Sequence, residues 1–190
     1  MNELIVSIPE SLIRQCSMLG VERWLAKKGS TDKESYAIGR KNKYLEHDLL
    51  NSVRANISEW AVAQHYALAW NGGITYTNEQ HGRRRYLPDV GTNVEVRTRR
   101  TGGEFAFWEY EIKKEGFAVF TEVVDDNTFA EVRIMGWVAI EDCGKPEYWD
   151  KDQKRFYVPM SALNDPHTFD PQASKTGLET VERYLEPHNR

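Results

Sequence analysis

One long helical segment constrains the fold of this chain more than any other feature of its sequence. Over residues 44–70 apolar side chains recur at the 3.6-residue spacing of a helix, and Asn71-Gly72-Gly73 ends the segment. One face carries Leu50, Val53, Ile57, Ala61, Gln64 and Leu68, with Trp60 at its border, and a second face carries Ala55, Val62, Ala63 and Tyr66. A helix that is apolar on two sides is typical of one packed inside a core. Glu59 lies among these residues, so its carboxylate needs a partner, because an unpaired buried charge is costly.

Helices come first along the chain and strands second. We expect a helix from about Ser7, with Pro9 in its first turn, to Gly20, and a short helix over residues 21–28. Later segments predict strands at residues 74–77, 93–98, 108–112, 117–124, 131–140 and 155–158, and a last short helix at residues 177–185. Asp125-Asp126-Asn127 predicts a hairpin in the middle of the sheet, and the strand at residues 155–158 is expected at an edge. This order predicts an α/β protein with a mixed sheet and a helical N-terminal third.

The composition fits one domain. The chain has 190 residues, of which 40% are hydrophobic and 12% aromatic, enough for one sizeable core. We divide it into an N-terminal helical extension (1–45), a core (46–160) and a C-terminal loop with a short helix (161–190). No apolar run approaches the roughly 20 residues of a membrane span, and the first residues do not resemble a signal peptide. Cys16 and Cys143 are too few for a disulfide scaffold or a four-sulfur zinc site, so we expect a cytoplasmic protein. We also expect no membrane partner and no small-molecule cofactor.

The charge is unevenly distributed. A net charge of −4 alone argues mildly against a nucleic-acid-binding protein. Within residues 83–100, however, the chain concentrates arginines, and those expected to contact nucleic acid are Arg83, Arg84, Arg85, Arg99 and Arg100. A local basic patch can make the phosphate contacts that dominate nucleic-acid affinity. Taken alone, an arginine run is more typical of a solvated loop.

Asp89 lies in a turn directly before a strand, a frequent place for a metal ligand. Pro88 fixes the start of this turn and Gly91 follows two residues after the acid. Side chains along a strand alternate between its faces, so Glu95 and Arg97 share one face and the valines between them share the other.

Three carboxylates, those of Glu59, Asp89 and Glu95, would converge if the long helix packs beside this strand. Mg²⁺, or Mn²⁺ in its place, prefers such oxygen ligands. A cation so held lowers the pKa of bound water and neutralises charge on a scissile phosphate. Arg97 would lie beside that phosphate, but it stays protonated and is a poor general base. The bare pattern also occurs in Glu131-Val132-Arg133, so by itself it is more typical of the polar face of an ordinary strand.

These residues resemble the PD-(D/E)xK nuclease superfamily, which has the restriction-endonuclease-like fold. The resemblance is carried by Ser58-Glu59-Trp60-Ala61-Val62-Ala63-Gln64, Pro88-Asp89-Val90-Gly91 and Val94-Glu95-Val96-Arg97-Thr98. It covers about residues 51–100 and is nearest to small bacterial and phage members. It implies a mixed central sheet flanked by helices, Mg²⁺-dependent cleavage of DNA, and a catalytic set of Asp89, Glu95, Arg97 and Glu59 in which the three acids bind the metal. A homodimer would fit a nuclease that cuts both strands.

One position departs from the family pattern, because Arg97 stands where the family has lysine. Arg97 reproduces the charge of that lysine but hardly any proton transfer. Either the metal-bound water then carries activation alone, or the protein binds without cutting. Lys113 and Lys114, expected at the edge of a later strand, could supply a displaced amine, although such a doublet is more often simply exposed.

Three functions therefore stay open at this point. The first is a Mg²⁺-dependent deoxyribonuclease. The second is a nucleic-acid-binding or protein-interaction module on the same fold without catalysis, which Arg97 and the acidic net charge favour. The third is a structural or assembly protein, for instance of a phage particle, without a site.

Overall fold

The computed structural model describes residues 4–29, 45–72, 88–99 and 102–171, with residues 26–29 and 45–48 described by their backbone alone. The predicted strand at residues 74–77 and the predicted helix at residues 177–185 lie outside these ranges. The described part forms two helices and two sheets, which confirms the α/β class.

Helices α1 (Glu10–Gly29) and α2 (Leu45–His65) pack against each other. The sequence predicted two helices separated at Gly20, and this is wrong, because α1 continues through the glycine. A Cβ atom on Gly20 would lie 2.9 Å from both Cγ2 and the backbone nitrogen of Val53 in α2. The glycine therefore marks a close approach of two helices rather than a helix end.

Both apolar sides of α2 are buried, as its sequence predicted. Ile57 and Ala61 pack in a cluster with residues of α1, whereas Val62 and Ala63 pack in a cluster with residues of the sheet. The helix ends at His65 rather than near Trp70, and Ala67, just beyond it, has a φ of 52°.

The first sheet has four strands and is mixed. Its strands are β1 (Leu4–Ser7), β2 (Val94–Arg99), β4 (Phe117–Val123) and β5 (Glu131–Ala139), in the order β1-β5-β4-β2. Strand β2 lies at an edge and pairs with β4 in parallel, and the other pairs are antiparallel. The predicted β4–β5 hairpin is confirmed, whereas β1 was not predicted and occupies the opposite edge from β2.

The second sheet has three antiparallel strands, β3 (Phe105–Trp108), β7 (Arg155–Val158) and β6 (Trp149–Asp150), in the order β3-β7-β6. The strand at Arg155–Val158 was predicted at an edge, but it lies at the centre of this sheet. Short 3₁₀ helices at Ile140–Gly144, Pro146–Tyr148, Met160–Ala162 and Pro166–Thr168 complete the described chain.

The four-stranded sheet is covered differently on its two faces. Val94, Val96 and Val119 pack with residues of α2 on one face. Ala118 and Phe120 pack on the other face against a cluster with Phe105, Phe107, Phe156 and Val158 of the second sheet. Among the described residues, α2 covers one face of the sheet, as the expectation of flanking helices requires, and the second sheet packs on the other face. Among the described helices, neither combines the length and apolar composition that a membrane span requires.

Candidate charged site at the edge strand

The turn that carries Asp89 is fixed by the chain just after α2. Asn71, predicted to help end the helix, donates its side-chain amide to the carbonyls of Pro88 and Gly91, at 3.1 and 2.6 Å. Its backbone N–H donates to the Asp89 carbonyl at 3.1 Å. Gly91 closes the turn with a φ of +59°, which favours glycine. The position of Asp89 is thus set by backbone contacts on both sides of it.

The Asp89 carboxylate lies at the free edge of β2. Its Oδ2 accepts a hydrogen bond of 2.9 Å from the N–H of Val96 and lies 4.0 Å from Nη1 of Arg97. Burial of the carboxylate, followed by the negative charges of Glu59 and Glu95, raises its pKa from 3.8 to about 8, against the opposing effects of Arg97 and the backbone N–H. The side chain keeps 27% of its surface exposed, so solvent still reaches this group. The fold therefore disfavours the ionised form of Asp89.

Glu95 projects from β2 toward the second sheet. It pairs in register with Ala118, on the sheet face opposite to α2. Its side chain is only 8% exposed, and its two oxygens have different neighbours. Nζ of Lys114 donates to Oε1 at 2.6 Å, and Nη1 of Arg97 lies 3.7 Å from Oε2. Thus Asp89 and Glu95 both face a single Arg97 nitrogen.

Arg97 is bound most closely by an acid that the sequence did not single out. Its Nη2 donates to Oε1 of Glu111 at 2.9 Å, and its guanidinium lies over the Phe107 ring at 4.8 Å from the centroid. Burial opposes the charge of Arg97, but the negative charges of Glu111, Glu95 and Asp89 raise its pKa. The arginine is permanently protonated and serves as an electrostatic and hydrogen-bonding group.

The segment after Trp108 forms a turn, not the strand that was predicted through residue 112. The Glu111 carboxylate accepts a hydrogen bond of 2.8 Å from the Trp108 N–H, and the Glu111 N–H donates to the Trp108 carbonyl at 2.9 Å. This turn directs Lys114 to Glu95. The sequence favoured an exposed pair formed by Lys113 and Lys114, and for Lys114 this is wrong. Lys113 is exposed. We call the group that meets here the edge cluster: Asp89, Glu95, Arg97, Glu111 and Lys114.

Glu59 lies on the other side of the sheet from Glu95. It belongs to α2, where the neighbouring Ser58 donates to Oγ1 of Thr98 at 3.0 Å on the helix-facing side of β2. Arg23 of α1 binds both Glu59 oxygens, at 2.8 and 2.9 Å. Trp70 also donates its indole N–H to Oε2 at 3.2 Å. The core partner expected for this buried acid is therefore present.

The three predicted metal ligands do not close around one point. The apolar face of β2 packs on α2, so the alternation of the strand turns Glu95 away from Glu59, and Asp89 lies at the edge between them. Over residues 4–29, 45–72, 88–99 and 102–171, no three His, Cys, Asp or Glu side chains form a group that could hold a metal ion. The structure brings together Asp89, Glu95 and Arg97, and places Glu59 within electrostatic range of Asp89. The role of Glu59 as a ligand stays a prediction.

Of the predicted nucleic-acid contacts, Arg83, Arg84, Arg85 and Arg100 lie outside the described residues. Arg99 is described and is engaged within the protein. It donates to Oε2 of Glu122 at 3.1 Å and to the Gly103 carbonyl at 2.7 Å, and its side chain is only 15% exposed. A phosphate contact by Arg99 would have to replace these bonds, so its geometry does not favour the predicted role.

Three residues of this region were missed or undervalued in the sequence. Arg23 follows Cys16 and Gly20 at helical spacing on the face that meets α2, and this spacing was the available signal. Lys114 had been named only as a less favoured source of an amine. Glu111 gave no local signal, because its role depends on a turn that interrupts an alternating segment.

Chemically, the edge cluster combines two carboxylates that face one point with a lysine amine and a fixed guanidinium. Carboxylate oxygens suit a hard divalent cation, and cationic donors suit phosphate oxygens. No family model, curated protein or solved structure matches this chain.

Proposed function

We propose that this chain is a Mg²⁺-dependent nuclease that hydrolyses phosphodiester bonds of DNA at the edge cluster. One observation carries the proposal. The carboxylates of Asp89 and Glu95 lie 4.0 and 3.7 Å from the same Arg97 nitrogen, and a lysine amine contacts Glu95 at 2.6 Å. These residues provide two of the three acids that the resemblance implies, together with an amine from Lys114.

The donor set fits Mg²⁺ or Mn²⁺ held by two carboxylates and completed by water. Mg²⁺ is commonly bound through one or two carboxylates and keeps several waters. When bound, the cation would supply an activated water and neutralise charge on the phosphate. Asp89 and Glu95 would hold it, and Glu59 would join them only by exchanging its pair with Arg23.

The cationic side chains have separate tasks in this proposal. Lys114 donates from its ammonium group to a phosphate or leaving-group oxygen beside Glu95. Arg97 contributes charge but no proton transfer, because its pKa lies far above neutrality. The raised pKa of Asp89 would make metal affinity increase with pH, since the ion binds the ionised carboxylate.

The finer fold assignment is part of the same proposal. The restriction-endonuclease-like fold is supported by the mixed sheet, by the edge position of β2, and by α2 packing across the apolar face of that strand. DNA as the substrate rests on the resemblance and on Arg83, Arg84, Arg85 and Arg100. A cytoplasmic location agrees with Cys16 and Cys143, which are buried free thiols. Homodimer formation rests on the resemblance alone.

Cleavage of supercoiled plasmid and linear DNA, with Mg²⁺, Mn²⁺ or EDTA, tests the proposal. Wild type should cut with either metal and stop with EDTA. Asp89→Ala and Glu95→Ala should each lower the rate at least about a hundredfold, with an unchanged circular dichroism spectrum. Glu131→Ala is the matched control, because it alters the other Glu-x-Arg sequence and Glu131 is exposed. Undiminished cleavage in both site variants would reject this site.

DNA binding without cleavage is the second candidate, and one observation favours it. Arg23 already pairs with Glu59, and Lys114 and Arg97 already face Glu95, so protein cations serve acids that a nuclease would offer to a metal. This alternative expects salt-sensitive DNA binding and no turnover in any divalent metal.

A further inference from the structure

We propose that Glu111 is a positioning residue, which together with Arg97 holds the Lys114 amine against Glu95. The catalytic meaning of this clamp rests on the proposed nuclease function, but the clamp itself does not. In the family, one lysine occupies the position of Arg97. Here Arg97 fixes a turn, and Lys114 from that turn supplies the amine.

Glu111 is bound at both of its carboxylate oxygens. One carboxylate oxygen accepts from Arg97 at 2.9 Å, and the other accepts from the Trp108 N–H at 2.8 Å. The same side chain therefore joins the edge strand β2 to the start of the turn. Charge-assisted bonds of this kind are stronger and better oriented than neutral ones.

Glu111 is connected to Lys114 through the backbone of the turn. The Lys114 N–H donates to the Glu111 carbonyl at 3.2 Å, so the two residues occupy one turn of the backbone. Between them, Ile112 packs against the cluster under the second sheet, where a Cβ on Gly144 would lie 2.8 Å from its Cδ1. Displacing Glu111 should therefore displace the backbone that carries Lys114.

Arg97 makes its shortest side-chain contact with an acid at Glu111. The Arg97 nitrogen that faces Asp89 and Glu95 lies 4.0 and 3.7 Å from their oxygens. The Phe107 ring beneath its guanidinium restricts it further. This geometry is that of a brace between strand and turn, with the amine of Lys114 closer to Glu95 than any Arg97 nitrogen.

Competitive amine labelling of the metal-free protein, read by mass spectrometry, tests the clamp without any cleavage assay. In Glu111→Gln the labelling rate of Lys114 should rise about tenfold, because the charged contact that fixes the turn is weakened. The exposed Lys113 is the internal reference and should keep its rate. Glu109→Gln, which removes an exposed carboxylate from the same turn, should leave Lys114 unchanged.

A second variant and a second readout complete the design. Arg97→Lys keeps the charge but loses the forked geometry, so it should raise Lys114 labelling as well, and the double variant should add little. If wild type cleaves DNA, Glu111→Gln should lower kcat more than it changes KM. In a Lys114→Met background, adding Glu111→Gln should have almost no effect on kcat.

Unchanged Lys114 labelling in folded Glu111→Gln would overturn the clamp, and so would unchanged labelling in Arg97→Lys if Glu111→Gln does not fold. Raised labelling in a protein that never cleaves DNA would reject the nuclease proposal and leave the clamp standing. The two failures are thus distinguishable.

Discussion

Strand β2 has a charged cluster near each end, and the two clusters differ in their ratio of acidic to basic side chains. At its C-terminal end, the buried Glu122 receives Arg99 at 3.1 Å on one oxygen and Arg133 at 2.8 Å on the other. We call these three residues the Glu122 cluster. At its N-terminal end lies the edge cluster, in which three acids share one arginine and one lysine.

The difference separates a structural cluster from a candidate functional one. In the Glu122 cluster each oxygen of a side chain that is 3% exposed has its own guanidinium donor, as a buried charge requires. In the edge cluster, burial, Glu59 and Glu95 raise the pKa of Asp89 to about 8. Perturbed pKa values cluster at functional sites, because catalytic groups need pKa values matched to their task.

The largest effect on stability is expected from removing the acid of the Glu122 cluster. Glu122→Gln should lower the free energy of unfolding by about 3 kcal/mol, because it leaves two arginines without their shared partner. Glu95→Gln should lower it by about 1 kcal/mol, because the partly exposed Lys114 can turn to solvent when its partner is lost. Urea denaturation at pH 7 measures both. Equal losses would remove the distinction between the clusters.

A second prediction uses pH to probe the edge cluster. The folded pKa of Asp89 lies above its ordinary value of 3.8, so the folded protein holds a proton that the unfolded chain releases. The contribution of Asp89 to stability is therefore fully present below about pH 4 and is lost as pH rises to about 8. Allowing for the solvent-exposed part of the side chain, the loss should amount to about 2 kcal/mol.

The check is the unfolding free energy of metal-free protein at pH 5 and pH 8. Asp89→Asn should gain stability relative to wild type between these values, because asparagine does not titrate. Parallel curves for Asp89→Asn and wild type would contradict the raised pKa.

The smallest effect concerns the geometry of the Glu122 cluster. Arg99 donates both to Glu122 and to the Gly103 carbonyl, which a lysine cannot reproduce. Arg99→Lys should therefore cost about 1 kcal/mol. The measurement is the same thermal or urea denaturation series. An unchanged stability would show that the forked geometry of Arg99 does not contribute to the Glu122 cluster.

Much of the fold could be predicted because the signals were local. Strands β4 and β5 are long apolar segments joined by Asp125-Asp126-Asn127, and both strand bounds and pairing followed. Strand Arg155–Val158 was found, but its central place depends on strands distant in sequence, which periodicity does not reveal. Gly20 shows the same limit, since only the packing of α2 explains a glycine inside a helix.

The site divides along the same line. Asp89, Glu95 and Arg97 were grouped correctly, because a turn followed by strand alternation fixes their relation locally. Glu59 does not meet Asp89 and Glu95 at one point. The sequence could not show this, because a helix with two apolar sides does not indicate which strand face it covers. Lys114 required knowledge of a tertiary turn, and the sequence alone favoured an exposed doublet.

A Mn²⁺ titration of EDTA-treated protein at pH 8 shows whether the edge cluster binds a metal ion. Electron paramagnetic resonance should count one bound ion per chain in wild type and in Glu122→Gln. Asp89→Asn and Glu95→Gln should each lose that ion while remaining folded. No bound ion in wild type, or a Mn²⁺ affinity unaffected by both variants, would reject metal binding by Asp89 and Glu95.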